Sequence, residues 1–183
     1  MGDPARHVVL VGLTGVGKST VGRRLGKELR RPFADVDEQV ELRAGATVPD
    51  IFAGGGEAAF RALEAQVLAD LLAVRAPLVL AGGGGVVGAA ANRAALARSA
   101  AYVVWLRASP AFLAGRVDPT HRPLLAGGAA EALDRLAAER DPLYASVADV
   151  AVDVEPFHVE GEQPKRALAR HIAALVAGTA AAR

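Results

Sequence analysis

Apolar residues recur along this chain in two rhythms. Short apolar runs, most of them rich in β-branched residues, fall at about 7–11, 32–37, 77–81, 101–106 and 147–152 and read as buried strands. Between them lie longer stretches in which apolar positions return every third or fourth residue. The clearest is 57–74, where Phe60, Leu63, Val67 and Leu71 share one helical stripe. Helices are likewise expected at about 17–30, 89–98, 110–116, 129–140 and 165–176. Strands alternating with helices predict an α/β fold, a parallel sheet in a three-layer α/β/α arrangement. No repeat and no linker-like composition breaks the alternation, so residues 1–183 are expected to form one domain. The alanine-rich end is expected to fray, with disorder over about 178–183.

Composition narrows the possibilities further. With 52% hydrophobic and 22% charged residues, the chain has the make-up of a globular protein with a substantial core. A net charge of +1 gives no electrostatic footprint for nucleic acid, and no apolar run is long enough to span a bilayer, so neither partner is expected. The first residues carry an acid and no signal-type apolar segment, and the absence of cysteine excludes disulfides and thiolate metal sites. A cytoplasmic monomer is expected. Of 21 basic residues three are lysines, Lys18, Lys27 and Lys165, so the position of each lysine carries information.

The first of these lysines lies in Gly12-Leu-Thr-Gly-Val-Gly-Lys18-Ser19, which fits G-x-x-x-x-G-K-[ST] in full, directly after the first strand and at the start of the first helix. In that setting glycines allow successive backbone N–H groups to turn toward phosphate oxygens, and the helix adds its positive N-terminal end. Lys18 then reaches the β- and γ-phosphates, and the Ser19 hydroxyl ligates Mg²⁺. The expected nucleotide-binding set is Gly12, Thr14, Gly15, Val16, Gly17, Lys18, Ser19 and Thr20, with ATP as co-substrate and Mg²⁺ as cofactor.

Phosphate loops serve many reactions, so the acceptor must be read elsewhere. Phe33-Ala-Asp35-Val-Asp37 places two acids at the end of the second strand, where ligands of open α/β sheets bind. If the strand persists that far, both carboxylates share a face, one serving the Mg²⁺ water shell and the other receiving a hydroxyl proton. Asp37 also reads equally well as a helix cap. The run Gly82-Gly83-Gly84-Gly85 contributes nothing to a core, and close approach of a ligand explains it better than a flexible turn. Arg61 has Glu57 at i−4 and Glu64 at i+3, a pattern equally typical of a surface ion pair. Arg140 reads as a cation at the end of a helix, before Pro142.

Taken in order, Gly12 to Ser19, Asp35-Val-Asp37, Gly56-Glu57-Ala-Ala-Phe60-Arg61-Ala-Leu-Glu64, Gly82-Gly83-Gly84, Arg122-Pro123-Leu124-Leu125 and Arg140-Asp-Pro142-Leu143-Tyr144 resemble the shikimate kinase family. The likeness runs from about Val8 to Tyr144. It implies a P-loop nucleoside-kinase-like fold with a five-stranded parallel sheet and a mobile lid, here about 116–128. It also implies a reaction, transfer of the γ-phosphoryl group of ATP to the 3-hydroxyl of shikimate in chorismate and aromatic amino acid synthesis. By resemblance, Asp37, Arg61, Gly83, Gly84 and Arg140 contact shikimate, with Asp37 catalytic beside Lys18. Asp35 assists Mg²⁺ through water, Arg122 is the catalytic lid arginine closing on the phosphates, and Arg116 lies near the adenine. The chemistry is consistent with this: paired arginines suit a carboxylate, and an acid beside the acceptor hydroxyl orients it.

Two departures from the family pattern stand out. The segment 154–164 is longer than the usual adenine-side loop, and Gly85 extends the glycine run. A sister kinase acting on aminoshikimate or gluconate is the alternative, and a nucleotide-dependent switch without a small substrate is a more distant one. Arg122 yields the first expected outcome. Arg122→Ala should lower kcat far more than it weakens shikimate binding, because its contact forms with phosphate in the closed state. A normal kcat in steady-state assays would return 116–128 to the status of an ordinary surface loop.

Overall fold

The computed structural model describes residues 6–117, 125, 128–158 and 163–181. At its centre is a wholly parallel sheet in the order β2-β3-β1-β4-β5, with β1 (Val8–Val11), β2 (Phe33–Asp35), β3 (Val79–Ala81), β4 (Tyr102–Arg107) and β5 (Val150–Asp153). Val8 of β1 pairs with Val79 on one side and Tyr102 on the other. All four β1 residues are fully buried. A central strand covered on both faces needs an apolar residue at every position, hence its unbroken run. The chain leaves β1 toward β2 on one side and returns to β4 on the other. The crevice at the C-terminal end of β1 is therefore the switch point where α/β sheets bind ligands.

The crossover helices are α1 (Lys18–Leu29), α2 (Val36–Ala44), α3 (Val48–Leu72), α4 (Ala90–Arg98), α5 (Pro110–Ala114) and α6 (Ala129–Val147), and α7 (Pro164–Ala181) follows the last strand. The five expected strands and six expected helices are all present, with shifted ends. Three shifts matter for the site. The second strand stops at Asp35, so Asp37 is helical and the expectation of two acids on one strand face is wrong. The cap is Asp35, whose side chain accepts the N–H of Asp37 at 3.0 Å, and Asp37 sits in the first turn, where the helix dipole favours an acid.

The long helix starts at Val48 rather than at 57, capped by Thr47, whose hydroxyl accepts the N–H of Asp50. Gly54-Gly55-Gly56 disguises this first half as loop, and Gly56 interrupts it with φ 70 and ψ −177. The third shift is in α6, which runs through Pro142 to Val147, so Arg140 lies inside a helix and not at its end. Proline removes one helical hydrogen bond there. Burial outweighs the loss, since Tyr144 just beyond is fully buried with its ring 5.9 Å from that of Trp105. At the end of the chain α7 continues to Ala181, beyond the expected 176, so part of the tail expected to be disordered is helical; alanine is the best helix former.

The Gly56 kink turns α3 so that both of its halves face one cavity. Its φ/ψ pair is one that essentially only glycine adopts, at a cost on the order of 1–3 kcal/mol for other residues. Gly56→Ala is therefore expected to lower stability by about that amount, although no atom crowds the position. Thermal unfolding checks this, and an unchanged melting temperature would show that the kink does not depend on glycine.

Candidate active site

The loop after β1 takes left-handed φ values at Gly12 (141), Gly15 (84) and Gly17 (96) and leads directly into α1. Lys18, the first residue of α1, folds back across the loop, and its Nζ donates to the carbonyls of Gly12 at 2.8 Å and Leu13 at 3.0 Å. A cavity of about 390 Å³ opens here, lined by Gly15, Gly17, Lys18, Ser19 and Thr20 of the motif, with Asp35 and Arg116. The Arg116 guanidinium carbon lies over the Phe112 ring, 3.6 Å from its centroid. Val16 is buried within the loop, and Thr14 faces a second cavity instead. Lys165, at the start of α7, also lines the first cavity; sequence reasoning noted its rarity but gave it no role.

The second cavity, about 420 Å³, is lined by Asp37, Arg61, Gly84 and Arg140, all expected, and by Thr14. Val48, Pro49, Phe52 and Phe60 give it an apolar wall, with Phe52 and Phe60 in ring contact at 5.1 Å. Leu125, from the expected lid, is buried and lines it too. Arg122 and most of 116–128 lie outside the described residues. Asp37 and Glu41 line both cavities.

Arg61 is no surface ion pair. Its Nη1 reaches Glu64 Oε2 at 2.7 Å, and the Glu64 side chain is fully buried, while Nη2 reaches Glu57 at 3.0 Å. The glycine run makes this packing possible. A Cβ on Gly83 would lie 2.2 Å from Glu64 Oε1 and 2.7 Å from Asp37 Oδ1, and one on Gly85 would lie 2.2 Å from Arg61 Nη2. The expectation that ligand approach explains the glycines misses this close packing of charged side chains. The Tyr144 hydroxyl donates to the Gly84 carbonyl and holds the turn in place; burial pushes its pKa up.

Asp37 Oδ1 and Glu64 Oε1 are buried, and among the described residues neither finds a hydrogen-bond donor. Burial is the first cause that raises the Asp37 carboxyl to about 6, helped by the charges of Asp35 and Glu64 and opposed by Lys18 and Arg61. Burial also raises Glu64, although Arg61 opposes it. In Arg61 the balance tips the other way: burial lowers its pKa, but the Glu64 and Glu57 pairs outweigh it because the guanidinium stays partly in water. Glu64 was visible in the sequence at i+3 from Arg61, but its burial was not. Phe52 and the wall before the kink were hidden by the misplaced start of α3, and with them the partner of Glu41 on α2.

A phosphate-loop cavity and a second, half-apolar cavity that meet at Asp37 define a nucleotide-dependent kinase of a small molecule. The chain belongs to the shikimate kinase family, whose model matches residues 14–175. It is 44% identical over 174 residues to the shikimate kinase of Pseudomonas savastanoi pv. phaseolicola, an alignment covering 94% of this chain and 96% of the relative. The shikimate kinase of Acinetobacter baumannii, solved in complex with shikimate, superposes with a TM-score of 0.86 at 37% identity, covering 96% of this chain and 94% of that one. That of Aquifex aeolicus superposes with a TM-score of 0.79 at 33% identity, covering 95% and 98%. A gluconokinase from Sinorhizobium meliloti, 24% identical over 96% of this chain and 94% of its own, shares the fold with a TM-score of 0.61.

The raised Asp37 carboxyl makes a stability prediction. The folded chain holds this proton to about pH 6, whereas the unfolded chain releases it near 3.8, so stability falls as pH rises across that window. The cost is fully present above the window and absent below it. Asp37→Asn, which cannot ionise, is expected to stabilise the ligand-free protein at pH 8, on the order of 1–3 kcal/mol, and to leave it near wild type below about pH 4. Melting curves across pH check this, and a variant less stable than wild type at pH 8 would contradict the assignment.

Proposed function

We propose that this chain transfers the γ-phosphoryl group of ATP to the 3-hydroxyl of shikimate, releasing ADP and shikimate 3-phosphate for chorismate and aromatic amino acid synthesis. The observation that carries the reading is that Asp37 lines both cavities, so one carboxylate borders donor and acceptor alike. The loop N–H groups and Lys18 hold the β- and γ-phosphates. Arg61 and Arg140 receive the shikimate carboxylate, and Phe52 and Phe60 take the ring's apolar face. Asp37 accepts the hydrogen bond of the 3-hydroxyl with its unpartnered Oδ1, orienting the oxygen in line with the γ-phosphorus. As the new P–O bond forms and the bond to the β,γ-bridging oxygen breaks, the hydroxyl proton passes to Asp37. Arg122, from the lid, stabilises the charge on the transferring group.

The residues around the first cavity suit Mg²⁺. Among the described residues there is no cluster of three or more acidic or histidine ligands, and Mg²⁺ needs none when phosphates and waters complete its shell. Ser19 would ligate it directly and Asp35 would hold it through water, and the ion would supply neutralisation of phosphate charge. Arg116, pre-stacked on Phe112, presents its other face to the adenine. One chain builds both cavities, so a monomer suffices. The absence of cysteine accords with a cytoplasmic location, and among the described residues no helix is long and apolar enough to cross a membrane.

Incubation with ATP, Mg²⁺ and shikimate, quinate, gluconate or aminoshikimate, followed by ADP release, tests the reading; faster turnover of any of the others than of shikimate would overturn it. The carboxylate contact is best probed at Arg140, because removing Arg61 would strand Glu64 buried and unpaired. Arg140→Ala should weaken shikimate binding at least about tenfold with ATP affinity intact. Unchanged shikimate affinity by titration would remove Arg140 from the site.

A further inference from the structure

Glu41 has no place in the proposed reaction, yet it lines both cavities. It lies one turn beyond Asp37 on α2, on the same helix face. Its Oε1 accepts the N–H of Val48 at 2.8 Å. Val48 opens α3, so this N–H is one of the donors that a helix start leaves without an intrahelical acceptor. Thr47 satisfies the N–H of Asp50 from within the same segment, whereas Glu41 reaches across from another helix.

That bond anchors the segment that shapes the acceptor cavity. Val48, Pro49 and Phe52 are the acceptor wall, and they belong to the half of α3 that precedes the kink. This half is bounded by Gly45, with φ 64, and by Gly56, with φ 70, so the backbone at both ends takes conformations that glycine alone adopts readily. The exposed Arg43–Asp70 pair ties α2 to the half beyond the kink, not to the wall. Glu41 ties α2 to the wall itself.

We infer that Glu41 is a positioning residue for acceptor binding. By holding the start of α3 it sets the distance between the apolar wall and Asp37, and with it the width of the acceptor cavity. The Oε1 oxygen does this as a hydrogen-bond acceptor, and the negative charge is not required. The inference rests on the shikimate kinase reading, and the test separates the two failures. Wild type must first phosphorylate shikimate; if it does not, that reading fails before any variant is made.

Three variants then grade the contact. Glu41→Ala removes the acceptor, Glu41→Asp keeps the charge but shortens the reach, and Glu41→Gln keeps the reach without the charge. KM for shikimate is expected to rise roughly tenfold in Glu41→Ala, in the range for losing a hydrogen bond from a charged acceptor. It should rise less in Glu41→Asp and return close to wild type in Glu41→Gln, with KM for ATP changing less than about twofold throughout. If Glu41→Ala proves too unstable to assay, the contrast between Glu41→Asp and Glu41→Gln decides alone. An unchanged KM for shikimate in Glu41→Ala and Glu41→Asp overturns the inference. So does a loss in Glu41→Gln at least as large as in Glu41→Asp, which would make the charge and not the bond the active feature.

Discussion

Asp35, Asp37 and Glu64 converge where β2, α2 and α3 meet, with Lys18 and Arg61 as the nearest opposing charges on Asp37. Negative charges brought together out of water lose hydration and repel one another: burial is the first cause that raises both Asp37 and Glu64, and the charges of Asp35 and Glu64 raise Asp37 further. Asp35 caps α2. Glu64 is held by Arg61, and Asp37 Oδ1 keeps an open acceptor. A fold that aimed only at stability would not leave that oxygen unsatisfied. Its position between the two cavities makes it available to a hydroxyl group brought in by the acceptor.

The rest of the site is shaped by accommodating this cluster. Glu64 and Asp37 lie against the backbone only because Gly83 has no side chain, and Arg61 lies across Gly85 for the same reason. Tyr144 fixes the turn between these glycines, which gives the buried far end of α6 a use and explains why that helix continues past Pro142. The kink at Gly56 lets one helix supply both the charged residues and the apolar wall. Each constraint acts on backbone geometry near a charge, so small changes in shape here alter binding more than they alter the core.

The strand–helix alternation and the phosphate loop were legible because each obeys a local rule of period or motif. Of the acceptor residues implied by resemblance, Asp37, Arg61, Gly84 and Arg140 line one cavity, while Gly83 does not line it and instead backs Asp37 and Glu64. The sequence was weakest where tertiary context decides. The sequence offered Asp37 as the cap, and only the end of β2 assigns that role to Asp35. The three glycines before Glu57 hid the first half of α3 because glycine disfavours helix, and Phe52 was lost with it; Glu41, on α2, was missed because its partner Val48 lies at that hidden start. Burial separates the Arg61–Glu64 pair from a surface ion pair, and i,i+3 spacing is the same for both.

The proposed role of Asp37 as the base for the acceptor hydroxyl, with its carboxyl raised by burial and neighbouring charge, is the step on which the rest of the mechanism turns. The pH dependence of kcat/KM for shikimate, measured for wild type and for Asp37→Asn, tests it most directly. Wild type should lose activity on acidification with an apparent pKa near 6. The variant should lack that limb and fall at least about a hundredfold at neutral pH while still binding ATP. A variant within a fewfold of wild type, or one that keeps the same acidic limb, would contradict the account.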